Sequence, residues 1–175
     1  SIANCKSPGR PHVARALSYL RQVPEARRRA LTWALALDAD GKPAEALPQA
    51  EAALGREPTD TSAAVLVRTL LALGRNDDAG RVVSERTWAD TAAEARARGM
   101  VALAAKDHPS AIHAFEAAFR HAGAAQDARE AARAMVRDGQ SERAAAWIAE
   151  LASRGITVDE DPELQPVLTR AMAGP

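Results

Sequence analysis

The sequence predicts an all-α chain in which a helix–turn–helix unit recurs about four times and stacks into a solenoid. Three observations carry this expectation. Alanine supplies 43 of the 175 residues, whereas aromatic residues are only 3%. Alanine costs least to place in a helix and lets neighbouring helices approach closely, so this composition suits stacked helices around a thin core. A turn followed by an alanine also recurs at Gly41–Ala46, Gly74–Ala79, Lys106–Ala111 and Gly139–Ala144, with the alanines 33, 32 and 33 residues apart. A fixed period of that length is the signature of a helical repeat. Finally, no stretch alternates apolar and polar residues strongly enough to be a strand.

Each turn joins two helical runs. Ala30–Ala39 leads to Ala44–Leu54, and Ala63–Leu73 leads to Ala79–Arg86. Ala93–Ala105 leads to Ser110–His121, and Ala125–Asp138 leads to Glu142–Ser153. Gly55, Pro58, Gly123 and Gly155 punctuate the ends, as helix stops should. Before the array, His12–Val23 is expected to be a helix, with Pro24 lying 34 residues ahead of Pro58. After it, Asp161-Pro162-Glu163 is a helix start, with Asp as cap and Pro in the first turn. Leu164, Val167, Leu168 and Met172 then form one apolar face, suited to shielding the end of a repeat stack.

These residues resemble the tetratricopeptide repeat, a helix–turn–helix unit of about 34 residues. Trp33-Ala34, Leu37, Ala46, Ala53-Leu54 and Pro58 carry the resemblance in the first repeat, and Gly99, Ala102, Ala111, Phe115 and Ala118-Phe119 in the third. Gly99 falls at the small site where the family's paired helices cross. The second repeat departs from the pattern by being one residue short and by placing Arg86 where a small residue is usual. The fourth keeps Ala132, Met135, Ala144 and Ile148 but lacks the closing proline. The resemblance covers about residues 24–156 and implies a right-handed α-solenoid. The expected organisation is a tail over 1–11, a repeat array over 12–156 with a partial leading repeat, and a capping helix and tail over 157–175.

Charge narrows the function classes. Lys+Arg and Asp+Glu are 23 each, so no global excess of positive charge exists to drive non-specific nucleic-acid binding. Twenty of the basic residues are arginine; with so much alanine, this usage points to a GC-rich bacterial source. No apolar run approaches the roughly 20 residues of a membrane span, and the start has no basic stretch leading into an apolar core. The sequence does not begin with Met, so a processed or partial chain is expected. Cys5 has no second thiol for a disulfide or a metal knuckle. It precedes a polar tether, Lys6–Pro11, as in lipidated envelope proteins, although Asn4 fits the processing motif poorly. The compartment stays open between cytoplasm and periplasm.

No catalytic constellation or cofactor site is expected. His113 and His121 are two helical turns apart rather than one, which is wrong for a chelating pair. There is no Walker loop, no haem-attachment motif and no nucleophile elbow. Asp77-Asp78 and Asp159-Glu160-Asp161 fall where turns and helix starts favour acids. Trp33 and Trp147 lie on apolar faces as core anchors, and Trp88 is read as a plug beyond the irregular second repeat.

The family resemblance implies that the first helices of successive repeats line a concave groove for an extended peptide or a partner helix. The groove residues would be Arg28, Leu31, Leu35 and Asp38, then Ser62, Val65, Leu66 and Thr69. Ala93, Arg96, Ala97, Met100 and Leu103 follow, then Gln126, Arg129, Glu130, Arg133 and Arg137. Of these, Leu31, Leu35, Val65, Leu66 and Met100 would take an apolar anchor, and Arg96, Arg129, Arg133 and Arg137 acidic groups. Arg129, Arg133 and Arg137 are spaced i, i+4, i+8 and therefore share one helix face, with Glu130 and Asp138 expected to neutralise part of it. The terminal-carboxylate clamp of chaperone-binding family members is absent, because Leu31, Leu35, Leu66, Ala93 and Ala97 occupy its positions. A protein or peptide partner is thus expected, with a lipid-tethered envelope assembly factor or a regulatory module of a larger protein as alternatives. Self-association through end helices stays open.

Overall fold

A computed structural model describes residues 17–18, 29–157 and 161–173. The tail with Cys5, most of the expected leading helix, Arg28 and Asp159-Glu160 lie outside the described residues, as does the Met172 side chain. Among the described residues every regular element is a helix. The nine longer ones are α1 (Ala30–Ala39), α2 (Pro43–Arg56), α3 (Asp60–Ala72), α4 (Asn76–Glu85), α5 (Thr91–Ala104), α6 (His108–Ala122), α7 (Ala125–Arg137), α8 (Ser141–Ser153) and α9 (Gln165–Ala173).

The helix starts depend on capping as well as on apolar pattern. α3 begins three residues before Ala63, where the expected run started, because Thr59 caps it. The Thr59 hydroxyl accepts the Ser62 N–H at 3.2 Å, and Ser62 Oγ accepts the Thr59 N–H at 3.0 Å. That reciprocal pair satisfies two N–H groups left over at a helix start. In α5 and α6 the same service comes from Asp90, which accepts the Ala92 and Ala93 N–H groups, and from Asp107, which accepts that of Ser110.

The turns repeat in atomic detail. The N–H groups of Lys42, Arg75, Asp107 and Gln140 donate to the carbonyls of Leu37, Leu70, Ala102 and Met135 at 2.8–2.9 Å. Each bond spans five residues and closes the preceding helix in the Schellman manner, which requires a left-handed residue just before the donor. Gly41, Gly74 and Gly139 fill that place with φ of 71–77°, and in the third turn Lys106 holds it with φ 59°. A side chain is therefore held where the other turns use glycine.

The chain divides into two compact units, one up to Val82 and one from Val83, with α4 running across the division. In the first unit α1 packs on α2, α2 on α3, and α1 also touches α3. Leu17, Leu37 and Ala46 form a buried cluster against which Trp33 and Ala36 pack. The buried polar groups of α3 are satisfied internally: Thr69 donates to the Val65 carbonyl at 2.9 Å, and Ser62 donates to the Glu57 carbonyl at 2.7 Å.

In the second unit each helix from α5 to α9 packs on the next. Its core joins Phe115, Phe119, Met135, Ile148 and Leu151 with Leu164 and Val167 from the C-terminal segment. Burying large apolar side chains of this kind contributes about 1.5–3 kcal/mol each. Trp147 meets Phe119 edge-on at 5.6 Å and donates its indole N–H to the Ala128 carbonyl at 3.2 Å, so it anchors α8 against α6 and α7. Gly99 lets α5 approach α6, since a Cβ there would lie 2.8 Å from the Phe115 ring.

Candidate interaction face on the second unit

α5 and α7 are joined by a bidentate ion pair. The Arg96 guanidinium donates to both Asp127 oxygens, at 2.6 and 2.8 Å. Asp127 stands in the first turn of α7, where the helix dipole favours an acid. It is only 2% exposed, and a charge so buried requires a paired, well-bonded partner. The hydrogen bond to Asp127 raises the Arg96 pKa further above its ordinary value against the opposing effect of burial.

Further along α7 the arginine stripe meets the C-terminal segment. Arg133 Nε pairs with Asp161 Oδ2, and its Nη1 donates to Glu130 at 2.7 Å. Arg137 grips both Glu163 oxygens, at 2.7 and 2.9 Å. Asp161 also accepts the Glu163 N–H on its other oxygen at 3.0 Å, and its carbonyl receives the Leu164 and Gln165 N–H groups. It therefore caps the turn that leads into α9, although helical geometry itself begins at Gln165. Burial pushes the Asp161 carboxyl up, but the Arg133 hydrogen bond and the Glu163 N–H outweigh it and hold the group below the usual carboxylate range.

Arg129 differs from its neighbours on the stripe. It is half-buried, and its Nε is a buried donor with no hydrogen-bond partner among the described residues. Met100, one turn beyond Arg96 on α5, is half-buried against the core.

The apolar candidates of the first unit are distributed unevenly. Val65 and Leu66 are 4% and 6% exposed, so both lie in the core and leave almost no side-chain surface for a ligand. Leu31 is half-buried, and Leu35 is 38% exposed on α1. Asp38 pairs with Arg68 of α3 at 2.7 Å.

Asp127 and Glu163 were not among the sequence-derived candidates, and Asp161 was named only as a helix start. Of the two acids expected to neutralise the stripe, Glu130 does pair with Arg133. Trp88 is half-buried and donates to the Val83 carbonyl at 3.1 Å, with the Arg86 guanidinium 5.6 Å from its ring centroid. Its indole thereby tethers the loop after α4 to the end of that helix. Among the described residues no group of three or more His, Cys, Asp or Glu is gathered as metal ligands, and no helix is long and apolar enough to cross a membrane.

Consecutive packed helices joined by equivalent turns define a helical-repeat protein. Residues 39–100 match the tetratricopeptide repeat family model, so this stretch is similar to tetratricopeptide-repeat sequence. Comparison with curated proteins and with solved structures finds no match. Tetratricopeptide repeats generally mediate protein–protein interaction, and the fold is typically a non-enzymatic scaffold.

Proposed function

We propose that this chain is an interaction scaffold whose second unit binds an acidic segment of a partner protein on the face formed by α5 and α7. The observation that carries the reading is Arg129, whose buried Nε has no hydrogen-bond partner among the described residues and which stands beside arginines that already hold carboxylates. A planar guanidinium matches a carboxylate fork, and Arg129 is half-buried, so part of its side chain meets solvent for a ligand carboxylate to reach while its Nε does not. Met100, on the same face as Arg96, offers apolar surface to a neighbouring ligand side chain. In the first unit, Leu31 and Leu35 are the candidates that keep surface for an apolar anchor, whereas Val65 and Leu66 are buried.

The test is selection from a random displayed peptide library on the wild-type chain, followed by affinity measurement on an Arg129→Gln variant of unchanged circular dichroism. Enrichment of Asp or Glu, with affinity lost about tenfold in the variant, is expected for a charge-assisted contact of roughly 1.4 kcal/mol. Selected peptides without acidic residues, or equal binding by the variant, would dispose of the acid-reading face.

A further inference from the structure

The two acids of the C-terminal turn are held in different ways. Asp161 is buried, caps its own turn and is fixed to Arg133, while Leu164 and Val167 beyond it are embedded in the core. These contacts dock the turn. The Glu163–Arg137 pair lies at the surface, with the two side chains 33% and 44% exposed. Water and salt screen an ion pair of this kind, so it contributes little to stability. An incoming carboxylate would replace Glu163 on Arg137 like for like, whereas displacing Asp161 would leave a buried charge unpaired, which is far costlier.

On the basis of the acid-reading face proposed above, we infer that Glu163 is an internal competitor for Arg137, and that an acidic partner segment gains this guanidinium by displacing the Glu163 side chain while Asp161 and Leu164 hold the turn in place. The C-terminal turn thereby sets the affinity threshold of the face. An acidic segment long enough to reach both Arg129 and Arg137 overcomes the competition, and a single carboxylate does not.

The experiment measures binding of fluorescein-labelled hexaglutamate by anisotropy at low salt. It compares wild type, Glu163→Gln, Arg137→Gln, the double variant, Arg129→Gln and a control, Glu142→Gln, which removes an exposed acid from α8. Glu163→Gln is expected to tighten binding at least threefold, Glu142→Gln by less than half as much, and the gain should vanish in the Arg137→Gln background. A gain below twofold, a gain equal to that of the control, or a gain that survives without Arg137 would overturn the competitor role. If wild-type binding depends on Arg129 but Glu163→Gln brings no gain, the competitor inference alone fails. If no variant binds the probe, or if binding ignores Arg129, the acid-reading face fails with it. Should Glu163→Gln alter the circular dichroism spectrum, Glu163→Lys,Arg137→Glu restores the pair with reversed charge; recovery of the wild-type spectrum with loss of probe binding is then expected, and retained binding would refute the role.

Discussion

Replacing Gly99 with alanine sets two opposite effects against each other at one site. In an unobstructed helix the change is favourable by about 1 kcal/mol, because glycine loses more backbone freedom than alanine. Here the new methyl would lie 2.8 Å from Phe115 Cζ and 2.9 Å from both Cε atoms. Carbon atoms reach their optimum near 3.5–4.0 Å, so three ring atoms would be overlapped together. The Phe115 ring is 2% exposed and belongs to the core of the second unit, so its displacement must disturb packed neighbours. Overpacking of this kind costs typically 1–3 kcal/mol, and the threefold overlap places Gly99→Ala near the upper end. The expected net loss is about 1–2 kcal/mol, or a fall in Tm of roughly 2–8 °C for a chain of this size. Thermal and urea melts followed by circular dichroism give the value. Phe115→Leu in the alanine background should recover at least about 1 kcal/mol of coupling in a double-mutant cycle. A Gly99→Ala variant more stable than wild type would show that propensity alone governs the site, and that α5 and α6 do not approach as described.

Two further substitutions test other parts of the fold. Lys106 holds the left-handed position that Gly41, Gly74 and Gly139 fill in the equivalent turns, and a side chain there costs roughly 1–2 kcal/mol. Lys106→Gly should therefore raise stability, by about 0.5–1 kcal/mol after the added freedom of the unfolded chain is counted; a lower urea midpoint would contradict the assigned turn. Asp161 has its pKa lowered in the folded chain, so its contribution to docking the C-terminal turn is fully present above the ordinary carboxylate range, near pH 4. That contribution fades as pH falls below this toward the lowered folded value. Hydrogen exchange of the α9 amides should accelerate over that acid interval in wild type and show a weaker pH dependence in Asp161→Asn. Identical profiles would mean that the carboxylate does not hold the turn.

The repeat was legible because every unit must solve the same local problem. A helix has to be stopped, its last carbonyls satisfied and the chain reversed within a few residues, and the left-handed position serves all three needs. Gly41, Gly74, Lys106 and Gly139 could therefore be aligned from sequence, and all four have positive φ. Alanine spacing located the helices but misplaced the starts of α3 and α4 by three residues, because the first apolar residue of a helix is not its first residue. Thr59 and Ser62 lie before the apolar run and decide where α3 begins.

The candidate site was legible along one helix and illegible between helices. Arg129, Arg133 and Arg137 share a face by the 3.6-residue period alone, and neither their partners nor those of Arg96 follow from that period. Among the described residues, pairs that bridge separate elements include Asp38–Arg68, Arg96–Asp127, Glu116–Arg143, Arg133–Asp161 and Arg137–Glu163, each joining residues 26–31 apart. This is slightly less than the 32–33-residue repeat. The offset is the signal that a charge scan at short spacing cannot find: stacking brings one helix beside another nearly a full repeat later, and opposite charges at that distance become neighbours. Burial of Val65 and Leu66 has the same origin, since an apolar residue on a first helix can face a ligand or the adjoining helix and the periodicity is identical in both cases. Arg68, Arg96, Arg133, Arg137 and Arg143 thus strap separate elements together. In the proposed reading, a guanidinium becomes a candidate for a partner where that strapping leaves a donor unfilled among the described residues, as at Arg129, or leaves the pair open to exchange, as at Arg137.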